Sequence, residues 1–152
     1  MSTNNIEAKP GFFKLFSGKC PRCRQGDMFL TKNPYKLQGF MKMHDRCPVC
    51  GDYFDKEVGF YYGSSYVSYA FSLAISAVTF VAWWLLVGFS LDDNRVFYWL
   101  GFNAFLLIAL QPPLMRLART FWLAFFVRYD KDWKIHPPVK PERQNDALKN
   151  AW

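Results

Sequence analysis

Val58 to Leu91 reads VGFYYGSSYVSYAFSLAISAVTFVAWWLLVGFSL, thirty-four residues without an Asp, Glu, Lys or Arg. A bilayer core is about 30 Å thick and is crossed by roughly 20 apolar residues in a helix. Tyr66 to Phe89 supplies that length with margin, and the stretch reads as a transmembrane helix. A buried core helix of a soluble domain suits the pattern less well, because a second uncharged run, Val96 to Met115, follows directly after Asp92-Asp93-Asn94-Arg95. Two spans joined by so short a loop run antiparallel. The chain is expected to be a membrane α-helical hairpin over residues 58–115, with spans near 66–89 and 96–115 and a smaller unit on each end.

Charge orients the hairpin. Residues 1–57 carry ten Lys/Arg against six Asp/Glu, residues 116–152 carry eight against four, and the loop between the spans carries one Arg against two Asp. Lys/Arg-rich flanks stay in the cytoplasm. Both termini are therefore expected inside, in a multi-pass protein of the cytoplasmic membrane. The N-terminus shows no signal peptide, having Lys9 and Lys14 but no apolar core. The net charge of +7 is read as topology and attraction to anionic lipid. Nucleic acid is the poorer partner, since the bases are interleaved with acids.

Working toward the N-terminus, the only four cysteines form two matched pairs, Cys20-Pro21-Arg22-Cys23 and Cys47-Pro48-Val49-Cys50. Two C-x-x-C turns at this separation have the ligand count of a tetrahedral zinc site. Proline at the same place fixes φ in each turn. Gly51 follows the second pair and suits the positive φ of such a knuckle, whereas Arg24 stands at that place after the first. Disulfides suit a reducing compartment poorly, and a redox dithiol would need a βαβ setting that is absent. One structural zinc per chain is expected, held by Cys20, Cys23, Cys47 and Cys50. Lys19, Arg22, Arg24 and Arg46 stand near enough in sequence to offset the charge of four thiolates. Met28–Leu30 and Phe40–Met43 look like short strands between turns at Asn33-Pro34 and Gln38-Gly39, so residues 1–57 are expected to form a small β-rich zinc ribbon behind a loose N-terminus. His44 is expected to be an ordinary surface residue.

Within the spans, Ser64, Ser68, Ser72 and Ser76 recur every four residues and make a shallow groove for close helix packing. Asn103, in the second span, wants a hydrogen-bonding partner near the depth of Thr79 to Trp83. Tyr61, Tyr62, Tyr66 and Tyr69 suit an interfacial aromatic belt. Neither span holds an ionisable residue, which argues against a pump or proton relay. Gln111-Pro112-Pro113 is expected to end the second span. Leu114, Leu117, Phe121 and Phe125 then share one helical face, with Arg116 and Arg119 toward the other. Residues 116–128 are thus read as a helix lying in the cytoplasmic interface or packed on a partner subunit, and the remainder to Trp152 as a flexible or partner-bound tail.

The order of these parts resembles a bacterial family of small membrane proteins catalogued as a domain of unknown function, number 983. The resemblance rests on CPRCRQGDMF at Cys20–Phe29, CPVCG at Cys47–Gly51, the aromatic approach Gly59–Tyr69, two spans and the proline-containing exit Gln111–Pro113, and covers residues 18–130. It implies the architecture and the zinc but no reaction. No catalytic constellation is visible in the sequence. The function expected is non-enzymatic: a zinc ribbon held at the bacterial inner membrane to bind another membrane protein, as an adaptor, accessory or assembly factor of a larger complex. The alternative is a thiol- or metal-handling factor that passes zinc or electrons through its C-x-x-C pairs.

Overall fold

A computed structural model of the chain describes residues 11–36, 38–57, 59–88 and 93–140. The N-terminus up to Lys9, expected to be loose, Phe89 at the end of the expected first span, Asp92 of the acidic loop and the tail beyond Lys140 lie outside the described residues. A 3₁₀ turn at Phe12–Ser17 and another at Phe60–Gly63 precede two helices, α1 (Ser64–Val87) and α2 (Arg95–Phe126). α1 is about 36 Å long at the usual helical rise. It stops at Gly88, whose φ of +80° and ψ of 160° leave a region that side chains rarely adopt. Both helices are long and apolar enough to cross a membrane, and none of the most apolar part of α1 is buried by the rest of the chain.

α1 and α2 pack antiparallel. Phe80 meets Trp99 edge-on with ring centroids 5.1 Å apart, and Trp83 stacks on Phe102 at 6.4 Å. Arg95 Nη1 donates to the carbonyl of Val87 at 2.8 Å and so satisfies one open acceptor of the last turn of α1. Midway, Asn103 Nδ2 donates to Ser76 Oγ at 3.1 Å, and Thr79 Oγ1 donates to Asn103 Oδ1 at 3.2 Å. Ser64 is buried while Ser68, Ser72 and Ser76 are half-buried. Ser64 Oγ donates to the carbonyl of Tyr61, and Ser72 Oγ to that of Ser68. These hydroxyls thus satisfy themselves on their own helix and leave a small, close surface.

The buried core lies at one end of the hairpin. It gathers the four cysteines with Met28, Phe29, Met43, Phe54, Tyr61 and Leu123. Two expectations are corrected here. The β-rich ribbon is not formed: the described residues contain only isolated bridges, Lys19 with Asp27, Phe29 with Met43 and Arg46 with Tyr53. The carbonyls of Thr31, Lys32, Asn33, Phe40 and Met41, which a ladder would use, accept instead from arginines of α2. Nor does Gln111-Pro112-Pro113 end the second helix, because α2 runs through both prolines to Phe126. The prolines remove the donors that would reach the carbonyls of Ile108 and Ala109. What keeps the following turns helical is burial of Leu114, Ala118 and Leu123 against the cysteine module. Among the described residues there is accordingly no separate interfacial helix after residue 115.

One close approach fixes the junction. A Cβ on Gly63 would overlap the six-membered ring of Trp122, whose Nε1 donates to the carbonyl of Phe60 at 2.7 Å. Gly63→Ala is therefore expected to destabilise the junction by about 1–3 kcal/mol. Gly101→Ala, with open space around its Cβ, is expected to be neutral or slightly stabilising. Chemical denaturation of both variants in the same detergent checks this, and equal stability would refute the packing.

Candidate metal centre

The two knuckles are built alike. In the first, the Arg24 amide donates to the carbonyl of Cys20 at 2.7 Å, and the Cys20 amide to Gly26 at 2.8 Å. In the second, the Gly51 amide donates to the carbonyl of Cys47 at 2.9 Å, and the Cys47 amide to Asp52 at 2.8 Å. Each turn closes on a left-handed residue after its second cysteine: Gly51 at φ +72° and Arg24 at φ +56°. A side chain at such a φ costs about 1–2 kcal/mol. The Arg24 guanidinium lies 4.5 Å from the ring centroid of Tyr129, a cation–π contact that offsets part of that cost.

The turns bring four sulfurs to one point. Cys20 Sγ lies 3.8 Å from Cys50 Sγ and Cys23 Sγ 3.7 Å from Cys47 Sγ, with all four atoms within 4.8 Å of one another. A metal–sulfur bond of about 2.3 Å gives a tetrahedron with edges of roughly 3.8 Å, so the set fits one ion. All four cysteines are buried, and a Cβ on Gly26 would collide with Cys47 Sγ, so glycine there makes room for the sulfur. The thiols hydrogen-bond to one another across the cluster. Hydrogen bonding with Cys23 pushes Cys20 far above the ordinary thiol range, and Cys20 in turn holds Cys23 far below it. Cys47 is lowered to about 7, mainly by its hydrogen bond with Cys20. A cation at the centre would replace those shared protons and hold every sulfur as thiolate.

The four cations near the cysteines in sequence are engaged around the centre. Lys19 pairs with Asp27 at 2.6 Å, and the Arg46 guanidinium sits 4.3 Å from the Tyr53 ring centroid. Arg22 Nη2 donates to the carbonyl of His136 at 2.8 Å and lies 3.5 Å from Asp130 Oδ2. Asp130 also donates its amide to the Arg22 carbonyl and lies 3.0 Å from His136 Nδ1, a contact that lowers its carboxyl pKa. Residues 130–136, expected as the start of a free or partner-bound tail, thus return over the first knuckle. His44 is half-buried and donates its amide to Met28.

Two residues set opposite the apolar face in the sequence reading are buried within the chain itself. Arg116 is buried, and its guanidinium donates to the carbonyls of Phe40, Thr31, Lys32 and Asn33 and to Thr31 Oγ1, over the ring of Phe29. Arg119, also buried, donates to the Met41 carbonyl at 3.2 Å and lies over Tyr61. Tyr61 itself is buried, with its hydroxyl donating to Phe54 at 2.7 Å, and so is not part of an exposed aromatic belt. Tyr62, Tyr66 and Tyr69 are exposed. An Arg pair at i, i+3 inside an otherwise apolar segment was the available signal.

A sequence profile described as "Protein of unknown function (DUF983)" matches residues 37–126. The chain belongs to this family. The match takes in Cys47 and Cys50, both long helices and the arginine pair, and begins after the first knuckle. Within the family's segment, then, lie the second half of the sulfur cluster and the part of α2 that grips the loop joining the two knuckles. No curated protein and no solved structure matches the chain.

Proposed function

We propose that the chain is an integral protein of a bacterial cytoplasmic membrane in which one structural Zn²⁺ sets a small recognition module against the cytoplasmic end of a two-helix hairpin. Its role is that of a protein-binding adaptor or accessory factor for a larger membrane complex. The observation that carries this is the closed, buried four-sulfur set clamped to α2. Four protein ligands leave no position for water or substrate, so the ion would hold a fold and not run a hydrolysis. Soft thiolates in a reducing compartment suit zinc. Burial of all four sulfurs favours holding the ion over passing metal or electrons. The apolar exterior of α1 supports membrane insertion, and the Lys/Arg bias of the flanks supports both termini inside.

A module so fixed still exposes Phe13, Leu30, Tyr35 and Val49. Exposed apolar side chains on a small polar unit suit docking of another protein. The test is crosslinked capture from native membranes, comparing wild type with a Leu30→Asp/Tyr35→Asp variant of matched abundance and metal content. A defined membrane-protein partner lost at least about tenfold in the variant is expected, equivalent to 1.4 kcal/mol or more of binding. An unchanged partner set would move recognition to the hairpin, and fast exchange of the bound metal with free chelator would favour metal handling.

A further inference from the structure

Between the cysteine module and the adjoining helix ends lies a cavity of about 840 Å³. Phe60, Trp122 and Phe126 give it an aromatic wall, with ring centroids 5.1–6.2 Å apart. Arg22, Asp130 and His136 bring polar groups from the first knuckle and the returning segment. Three carboxylates line it: Asp130 is taken by Arg22 and His136, Asp52 by Lys56 at 2.9 Å, and Glu57 lies exposed at the lining, as does the cation Arg128. Arg22 is 8% exposed; its Nη2 is partnered, whereas its Nη1 is buried and meets no acceptor. A buried guanidinium donor without an acceptor is unfavourable, and a phosphate oxygen would give this one open donor a charge-assisted acceptor.

We propose that this cavity holds the head of an anionic phospholipid, its phosphate accepting from Arg22 and its glycerol and upper acyl chains lying against Phe60, Trp122 and Phe126. This rests on the membrane reading of α1 and α2. The space is far larger than a bare phosphate needs, and an aromatic wall gives such an ion nothing to contact. The wall is formed where an apolar helix ends, and Phe125 and Phe126 remain exposed beside it. Tryptophan at headgroup depth is the usual anchor of such a site. A lipid bound here would touch both the metal module and the hairpin.

The test uses the full chain, delipidated in a neutral detergent, with native mass spectrometry of added phosphatidylglycerol against phosphatidylcholine of the same acyl chains. Wild type is expected to hold phosphatidylglycerol at least about tenfold more tightly, and Arg22→Gln to abolish the preference while keeping its metal. Phe126→Ala, at an exposed side chain, is expected to weaken phosphatidylglycerol severalfold with metal content unchanged. Equal retention of both lipids by wild type overturns the proposal, as does displacement of the lipid by millimolar inorganic phosphate, which would mark a site for the free anion. Loss of metal in Arg22→Gln with lipid preference intact assigns the open donor to the metal centre and overturns it too. Should that variant lose both, Phe126→Ala decides: an undiminished affinity there sinks the lipid site. A wild-type chain that stays monodisperse without detergent overturns the membrane reading itself, whereas a detergent-dependent chain with no lipid preference overturns only the site.

Discussion

A Cys47→Ser/Cys50→Ser variant is expected to purify without metal and with residues 18–57 cut by protease, while α1 and α2 keep their helical signal. The reason is the composition of the core. The four cysteines share it with few apolar residues, chiefly Met28, Phe29, Met43 and Phe54, and the described module has no sheet to hold it. Apolar burial on that scale does not stabilise so small a unit, and the missing free energy is what a structural metal supplies, about 10–16 kcal/mol for zinc in small zinc-folded peptides. Serine oxygens do not replace two thiolates, and Cys20 and Cys23 would be left to share a buried site with no cation. Two readouts separate this from a local effect. Elemental analysis should show one zinc per wild-type chain and none in the variant. Alkylation of Cys20 and Cys23 should go from protected to complete. Acidification of wild type should release the ion in the same way, because protons compete for the sulfurs and affinity falls as pH falls. Wild-type protein that binds no metal yet protects all four thiols would refute the centre.

The hairpin and the sulfur set were legible in the sequence because each depends on a local pattern. An uncharged run as long as Val58–Leu91 has few physical solutions, and two C-x-x-C turns carry their own geometry in the residues that close them. What sequence did not reveal depends on contacts between distant segments. Met28–Leu30 and Phe40–Met43 have the composition of strands and meet through the Phe29–Met43 bridge, yet the carbonyls beyond it are claimed by side chains of α2. Pro112-Pro113 carries a local instruction to stop, which burial of the next three turns overrides. Arg116 and Arg119 could be read from the sequence only as the face opposite Leu114, Leu117, Phe121 and Phe125. Their carbonyl partners are some 76 to 85 residues away, beyond the reach of any periodicity argument. The return of residues 130–136 over the first knuckle is likewise set by Arg22 and not by anything in the tail's own composition.

Arg116→Lys is expected to destabilise the cysteine module strongly, although it conserves charge. The guanidinium reaches carbonyls from Thr31 to Phe40 with donors on three nitrogens: Nε to Phe40 at 2.8 Å, Nη1 to Thr31 at 2.9 Å, Nη2 to Thr31 Oγ1 at 2.6 Å and to Asn33 at 3.2 Å. An ammonium offers three donors from a single point and cannot span that fan, so it would sit buried with several carbonyls unpaired. Hydrogen bonds to a charged donor contribute roughly 1.5–3 kcal/mol each, and orphaned buried acceptors add their desolvation cost. A loss of at least about 3 kcal/mol is therefore expected, felt in the loop between the knuckles first. Hydrogen exchange should speed up over residues 28–43 and leave the middle of α1 unchanged, and metal should leave the variant faster because both knuckles hang on that loop. Lys36→Ala, an exposed cation in the same loop, is the control and should stay within about 0.5 kcal/mol of wild type. If Arg116→Lys matches that control, its guanidinium fan contributes nothing to holding the cysteine module against the hairpin, and Arg119 with the aromatic junction at Gly63 and Trp122 carries that attachment.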